Sequence, residues 1–191
     1  MELTVFDESK PEMRNAELSF VETLASLKPV KCATDKTQKL GEMMIRDVQT
    51  GDFDRWKPLW DGYNAFYGRK DDTALPEAVT KMTWSRFFDS YEPVYAIVAE
   101  QDGQLLGLVH FLFHRSTISI APVCYLQDLF TKEAARGKGV GRALIGEVYR
   151  RAKDAGCSRV YWLTHQTNAT AMELYDKVAD KSGFVVYRKT L

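Results

Sequence analysis

Residues 135–144, ARGKGVGRAL, set three glycines at alternate positions among three basic side chains. Glycine inside regular structure costs roughly 0.5–1 kcal/mol, so a run of this kind usually marks a close approach of the backbone to something else. Apolar residues then recur at every fourth position over 140–152. That spacing predicts a helix that ends near Gly156.

The residues before the loop, VCYLQDLFT at 123–131, predict a strand. A strand, a glycine loop and a helix N-terminus together offer unpaired backbone N–H groups and a favourable dipole to an anion. The loop is neither a P-loop nor a dinucleotide fingerprint, because the spacing differs and Arg142 replaces the third glycine. The pattern favours a pyrophosphate, with Arg136 and Lys138 adding charge. A loop kept small only for helix packing remains the alternative.

Composition limits the class of protein. The chain has 191 residues, of which 45% are hydrophobic, which suits one packed domain. Lys plus Arg and Asp plus Glu each total 26, so net charge predicts neither a nucleic-acid nor a membrane partner. The cysteines at 32, 124 and 157 are too far apart for a disulfide framework or a metal site. No signal-peptide pattern or apolar span is found, so we expect a cytoplasmic protein.

The remaining patterns predict a mixed sheet flanked by helices, an α/β fold of the α+β type. Residues 1–41 read as an N-terminal extension with an amphipathic stretch at 16–27, and residues 42–191 as the main domain. The predicted strands are 43–49, 95–100, 105–115, 123–131, 159–165 and 184–191, and the predicted helices are 51–68, 75–90, the helix after the glycine loop and 168–182. The Asp-Gly turn predicts an antiparallel hairpin in the middle, and the later helices predict parallel crossovers.

Three stretches together resemble the GNAT superfamily of acetyl-CoA-dependent N-acetyltransferases. They are YLQDLF at 125–130, the glycine loop, and THQTNATAMELYDKVADKSGFVVYRK at 164–189. Arg136, Gly139 and Gly141 match the loop pattern of that family. The resemblance covers residues 43–191 and is strongest to the small polyamine-acetylating and yeast histone-acetylating branches.

The resemblance implies that two splayed parallel strands hold acetyl-CoA. The backbone N–H of Leu129 is expected to polarise the thioester carbonyl, an interaction commonly worth roughly 2.7–4 kcal/mol. Phe130 and Thr131 are expected to make main-chain contacts to pantetheine, and Asn168 to contact the coenzyme. The expected pyrophosphate-binding residues are Arg136, Gly137, Lys138, Gly139, Val140, Gly141 and Arg142.

Acetyl transfer to an amine requires that the ammonium lose a proton and that the departing thiolate gain one. The resemblance implies Tyr175 as the acid and Asp128 as the residue that binds or deprotonates the amine. Gln127 stands where polyamine acetylases carry an acidic residue. Alternatively, Tyr175 is a core residue, Asn168 is only a helix N-cap, and Asp128 only holds a strand bulge or forms a structural pair.

Other candidates for the base are weaker. They are Glu100, His114 and His165, since polar residues at strand ends are usually structural. Cys124 lies on the strand that leads to the site, but nothing nearby in sequence lowers the pKa of its thiol, so direct attack by the amine is favoured over an acyl-enzyme.

The expected function is transfer of acetyl from acetyl-CoA to a primary amine of a small or polyamine-like molecule. Acetylation of protein lysine and a non-catalytic acyl-CoA sensor remain alternatives. The last predicted strand, FVVYRKTL at 184–191, would lie at a sheet edge. An exposed edge strand favours pairing with a second subunit, so we expect a homodimer.

Overall fold

A six-stranded mixed sheet forms the centre of the computed structural model, which describes residues 38–40 and 43–191. The amphipathic stretch predicted at 16–27 lies outside the described residues. The strands are β1 (Gln38–Leu40), β2 (Met43–Asp47), β3 (Val94–Gln101), β4 (Gln104–Ser116), β5 (Ser119–Thr131) and β6 (Val160–Tyr161), in that spatial order. Neighbours pair antiparallel except β5 and β6, which pair parallel. The predicted mixed sheet is confirmed.

Helices cover both faces of the sheet. They are α1 (Phe53–Phe66), α2 (Glu77–Arg86), α3 (Val140–Asp154) and α4 (Ala169–Tyr175). Aromatic residues of α1 and α2 pack with β3 and β4 in one buried cluster. Apolar residues of α3 and α4 pack with β2 to β5 in a second cluster. None of the described helices is long and apolar enough to cross a membrane.

A β-bulge in β5 decides which way its polar residues face. His110 pairs with Asp128, but the next residue of β4, Phe111, pairs with Leu126, so Gln127 is the extra residue. Successive strand residues point to opposite faces of a sheet, and an inserted residue reverses that alternation. Leu126 therefore joins the α3 side of the core, whereas Asp128 faces α1.

The predicted helix after the glycine loop is confirmed, and ion pairs that include buried Glu147 and Arg151 connect it to the end of β2. It ends at Asp154, and Gly156 follows with a positive φ of 71°, the conformation typical of a helix C-terminus. Glu147 is fully buried and pairs with Arg151 at 2.8 Å. Arg151 also pairs with Asp47 at the end of β2.

Three boundaries predicted for the C-terminal third are wrong. Strand β6 spans two residues rather than 159–165, and α4 ends at Tyr175 rather than near 182. Residues 184–191 form no strand, and the side chains of Phe184 and Tyr187 are exposed. A strand requires a hydrogen-bonded neighbour, and the outer edge of β6 is only two residues long.

Candidate active site

A cleft of about 890 Å³ opens where β5 and β6 separate. Their parallel pairing stops at Tyr125 and Tyr161, and beyond that point β5 pairs only with β4 within the described residues. The cleft is lined by the end of β5, the glycine loop, the segment before α4, α4 itself and the C-terminal part of α1. The splayed parallel strands expected from the resemblance are thus present.

The glycines of the loop are required for two different physical reasons. Gly137 and Gly139 have φ values of 74° and 83°, which side chains other than hydrogen rarely permit. A Cβ on Gly141 would lie 3.3 Å from Cδ2 of Leu174 in α4. Only the third glycine therefore fits the alternative of a loop kept small for packing, and its packing partner is α4 rather than the sheet.

The start of α3 presents unpaired amides and positive charge to this cleft. The first intrahelical bond is donated by Ala143 to the carbonyl of Gly139 at 2.9 Å, so the amides of residues 140–142 precede it. Arg136 and Arg142 line the cleft, and the first turn of α3 carries no acidic residue. Lys138 is exposed and does not line the cleft. The loop thus suits a diphosphate.

The sequence-predicted residues of β5 and α4 meet in this cleft. Leu129, Phe130, Thr131, Asn168 and Tyr175 all line it. The Asn168 side chain makes no capping bond to α4 and instead donates to the hydroxyl of Thr164 at 3.1 Å. Asn168 therefore occupies the N-cap position of α4, as the alternative predicted, although its side chain forms no capping bond.

Tyr175 packs against the core and also borders the cleft. Its ring packs edge-on against Trp162 at 5.3 Å between centroids, and the residue also borders the cleft. Burial, with a smaller contribution from Tyr67, raises the pKa of the Tyr175 hydroxyl to about 12. The hydroxyl is therefore protonated near neutral pH and able to donate.

Asp128 lies behind the cleft wall rather than on it. It is 7% exposed, and its carboxylate contacts Nδ1 of His110 at 3.0 Å. Nε2 of His110 in turn accepts a hydrogen bond from the indole of Trp56 at 3.0 Å. On the cleft side Asp128 interacts with the hydroxyl of Tyr63, which lines the cleft. Burial, followed by the charge and hydrogen bond of Asp128, raises the pKa of Tyr63 well above its ordinary value.

Three of the weaker candidates have structural partners or no access to the cleft. Glu100 lies on β3, two strands away from β5, where it pairs with Arg46 and Arg55 and does not line the cleft. His114 contacts the Tyr161 hydroxyl at 3.0 Å and does not line the cleft. Burial raises the pKa of the Cys124 thiol to about 12, so it is a poor nucleophile.

Gln127 and His165 differ in whether they line the cleft. Gln127 is exposed in the bulge, while the neighbouring carboxylate of Asp128 takes the inward place. His165 lines the cleft and contacts the Thr167 hydroxyl at 2.7 Å.

Sequence reasoning missed His110 and Arg69, and it placed Tyr63 among helical aromatic residues that pack in the core or, alternatively, line the mouth of the substrate site. The signal for His110 is a single polar residue inside the otherwise apolar run LLGLVHFLF at 105–113. Arg69 follows α1, and its guanidinium carbon lies 5.8 Å and 5.7 Å from the ring centroids of Tyr63 and Tyr67. It carries no distinctive sequence signal.

Comparison with known proteins agrees with this geometry. Residues 56–179 match the model of the acetyltransferase (GNAT) family. The chain is 33% identical over 168 residues to the D-amino-acid N-acetyltransferase HPA3 of Saccharomyces cerevisiae, covering 87% of this chain and 98% of that protein. It is 29% identical over 147 residues to the uncharacterized N-acetyltransferase YhfO of Bacillus subtilis, covering 76% and 95%.

The fold also matches solved structures. One is AAC(6')-Iy in complex with the bisubstrate analog CoA-S-monomethyl-acetylneamine, with a TM-score of 0.63, 19% identity, and coverage of 79% of this chain and 99% of that one. The resemblance inferred from the three sequence stretches is confirmed. The chain belongs to the GNAT acetyltransferase family and is an N-acetyltransferase that acetylates amines with acetyl-CoA as its cosubstrate.

Proposed function

We propose that the acceptor is the amine of a free amino acid or a similar small zwitterion. The observation that carries this proposal is the surroundings of Tyr63 in the cleft, where Asp128 and Arg69 both act on one side chain. A carboxylate suits an ammonium, and a guanidinium suits a carboxylate. The name of the relative HPA3, a D-amino-acid N-acetyltransferase, supports the same class of acceptor.

The coenzyme occupies the other part of the cleft in this proposal. Its diphosphate lies against the amides of residues 140–142, with Arg136 and Arg142 beside it. The same loop takes its backbone shape from Gly137, Gly139 and Gly141 and an additional positive charge from Lys138. The pantetheine runs along the open edge of β5 at Leu129, Phe130 and Thr131 and past Asn168. This arrangement brings the thioester to the side of the cleft where Tyr63 and Tyr175 lie.

Two proton transfers accompany acetyl transfer at this position. The amine attacks the thioester carbonyl, the carbon–sulfur bond breaks, and Tyr175 donates its proton to the departing thiolate. Asp128, acting through its contact with Tyr63, stabilises the ammonium and takes part in removing its proton. Direct attack is favoured because the Cys124 thiol is buried and protonated.

Arg69 tests the zwitterion part of the proposal. Its Nε donates to Asn64 at 2.7 Å, and none of the described carboxylates forms an ion pair with it. Hydrogen bonds to charged groups contribute about 1.5–3 kcal/mol, so Arg69→Ala should raise the KM for phenylalanine roughly 10- to 100-fold. The KM for phenethylamine, which lacks the carboxylate, should not change.

The experiment is release of free thiol from acetyl-CoA with both enantiomers of phenylalanine, alanine and lysine, and with spermidine, tobramycin and a lysine peptide. Lys70→Ala, a neighbouring exposed cation, is the matched control for Arg69→Ala. The proposal predicts that an amino acid is the fastest acceptor. Faster turnover of spermidine or of the peptide, or equal loss on phenylalanine and phenethylamine, would contradict it.

We also propose that the chain works as a homodimer in which residues 184–191 meet a second copy. Phe184 and Tyr187 are 91% and 93% exposed, and the segment has no strand partner within its own described chain. A second copy would cover this apolar segment and extend the short edge at β6. The described cysteines, Cys124 and Cys157, are free thiols, which suits the cytoplasm.

A further inference from the structure

Four side chains form one continuous polar line from the core to the cleft. It begins at the fully buried indole of Trp56, passes through hydrogen bonds to His110 and on to Asp128, and ends at the hydroxyl of Tyr63 on the cleft wall, whose pKa the Asp128 carboxylate raises. The two contacts of His110 are each 3.0 Å long, and the histidine is 2% exposed. The mechanism described so far uses only the last two members of this line.

The chemistry of the first contact fixes the proton on His110. An indole N–H can only donate, so Nε2 of His110 must be the acceptor and carry no proton. The single ring proton then lies on Nδ1, where it is donated to the Asp128 carboxylate. Trp56 therefore holds His110 as the neutral Nδ1–H tautomer.

The surroundings of the imidazole leave no alternative polar contact among the described residues. Rings of Trp56, Trp60 and Phe87 lie 5.8, 5.3 and 4.7 Å from its centroid. Asp128 is the only charged side chain that the described structure places in contact with it. The imidazole therefore packs between aromatic rings, and its Nδ1 contacts one carboxylate oxygen of Asp128.

We propose that His110 is a positioning residue for acetyl transfer, which orients the Asp128 carboxylate toward Tyr63 and the incoming amine. A carboxylate that accepts one bond from Nδ1–H keeps its second oxygen for the cleft side. Because an ionised carboxylate only accepts, the Tyr63 hydroxyl donates its proton inward and turns its oxygen lone pairs toward the cleft. That oxygen is then a hydrogen-bond acceptor for the substrate ammonium.

This inference rests on amine acetylation in this cleft but not on an amino acid as the acceptor. A histidine with only a structural role would supply a hydrogen bond to the buried Asp128 carboxylate, but it would not change kcat/KM for the acceptor amine. The two roles differ in whether the donor at Nδ1, rather than the volume of the ring, determines turnover. Kinetic constants for each substrate separate them.

The experiment compares His110→Leu, which removes the donor, with His110→Asn, whose amide N–H lies near the former Nδ1 position. The substrates are acetyl-CoA and either phenylalanine or spermidine, whichever the wild type acetylates faster. Because hydrogen bonds to charged groups contribute about 1.5–3 kcal/mol, His110→Leu should lower kcat/KM for the amine roughly 10- to 100-fold. The KM for acetyl-CoA should stay unchanged, and His110→Asn should recover most of the loss.

Leu108→Ala is the matched control, because Leu108 is fully buried two residues before His110 on the same face of β4 and its side chain takes no part in the hydrogen bonds of the line. It should lower stability and leave kcat/KM for the amine unchanged. The proposal is overturned if His110→Leu equals the wild type, if His110→Asn is as slow as His110→Leu, or if Leu108→Ala is equally slow.

A measurement on the wild type avoids dependence on folding of the variants. The ¹⁵N NMR shifts of the His110 ring near neutral pH should show a protonated Nδ1 and an unprotonated Nε2. A proton on Nε2 overturns the proposal. A wild type that acetylates none of the amines contradicts the proposed function instead, and the ring tautomer still decides whether Trp56 sets the proton on His110.

Discussion

The Tyr175 hydroxyl lies at the end of α4, with its ring partly buried against Trp162 and its pKa raised to about 12. A phenol with that pKa stays protonated across the range in which proteins are assayed, so it is always ready to donate to a thiolate. A raised pKa also means that no alkaline loss of activity near neutral pH should originate from this residue.

Replacing Tyr175 with phenylalanine tests the acid role. General acid catalysis typically contributes about 100- to 10,000-fold, so Tyr175→Phe should lower kcat at least about 100-fold. The KM for acetyl-CoA should change little, because the ring and its packing remain. Steady-state kinetics with the fastest acceptor amine measure both constants.

Tyr149→Phe is the control, because its hydroxyl donates to the Val178 carbonyl at 2.8 Å and the residue does not line the cleft. It should leave kcat unchanged. An equal fall in coenzyme affinity and in kcat for Tyr175→Phe would assign the tyrosine to binding rather than to proton transfer.

Helix α3 follows directly on the glycine loop, so its attachment to the sheet keeps the proposed coenzyme site in place. Burial alone would raise the pKa of the Glu147 carboxyl, but hydrogen bonds from Arg150 and Arg151 outweigh burial and lower it. Because the pKa of Glu147 is lowered, its ion pairs with Arg150 and Arg151 contribute their full stabilisation at pH values above the ordinary glutamate pKa. That stability is lost as pH falls through the native pKa.

Glu147→Gln should therefore destabilise the protein by about 1.5–3 kcal/mol, because it removes the buried carboxylate that accepts hydrogen bonds from Arg150 and Arg151, while Arg151 keeps its ion pair with Asp47. Urea unfolding at neutral pH measures the loss. Asp154→Asn, which breaks an exposed pair with Arg150, should cost no more than about 1 kcal/mol. The difference between wild type and Glu147→Gln should narrow at acidic pH, and a constant difference would be incompatible with the lowered pKa.

The elements differ in how well the sequence predicted them. The glycine loop and α3 were predictable because glycine spacing and a four-residue apolar repeat are local signals. The inward aim of Asp128 was not, because it depends on a bulge at Gln127 that only the register against β4 reveals. The partnership of Trp56 with His110 joins positions 54 residues apart, and no local pattern encodes it.

For the whole molecule, residues 184–191 show a further structural feature that could not be predicted from the sequence. The apolar residues at 184–187 favour a segment that packs against another strand or surface, but they do not indicate which chain provides that surface. Within one chain the described structure gives the segment no strand neighbour and leaves it exposed. Composition alone predicted a strand that a single copy does not form.

Light scattering tests the proposed dimer. The wild type should have the mass of two chains, and Val185→Asp should have the mass of one, because a buried unpaired charge at the interface is costly. Ile118→Asp places the same charge on an 85% exposed residue of the β4–β5 turn and should remain dimeric. A monomeric wild type, or a dimeric Val185→Asp variant, would rule out this assembly.

In the proposed reaction, one cleft holds acetyl-CoA by the loop amides and presents its thioester to an amine beside Tyr175 and Tyr63. A crystal structure with acetyl-CoA measures this directly. The diphosphate should lie within hydrogen-bonding distance of the amides of residues 140–142, with the thioester at the open edge of β5. A coenzyme bound elsewhere, or a loop at 136–142 filled by protein side chains, would contradict it.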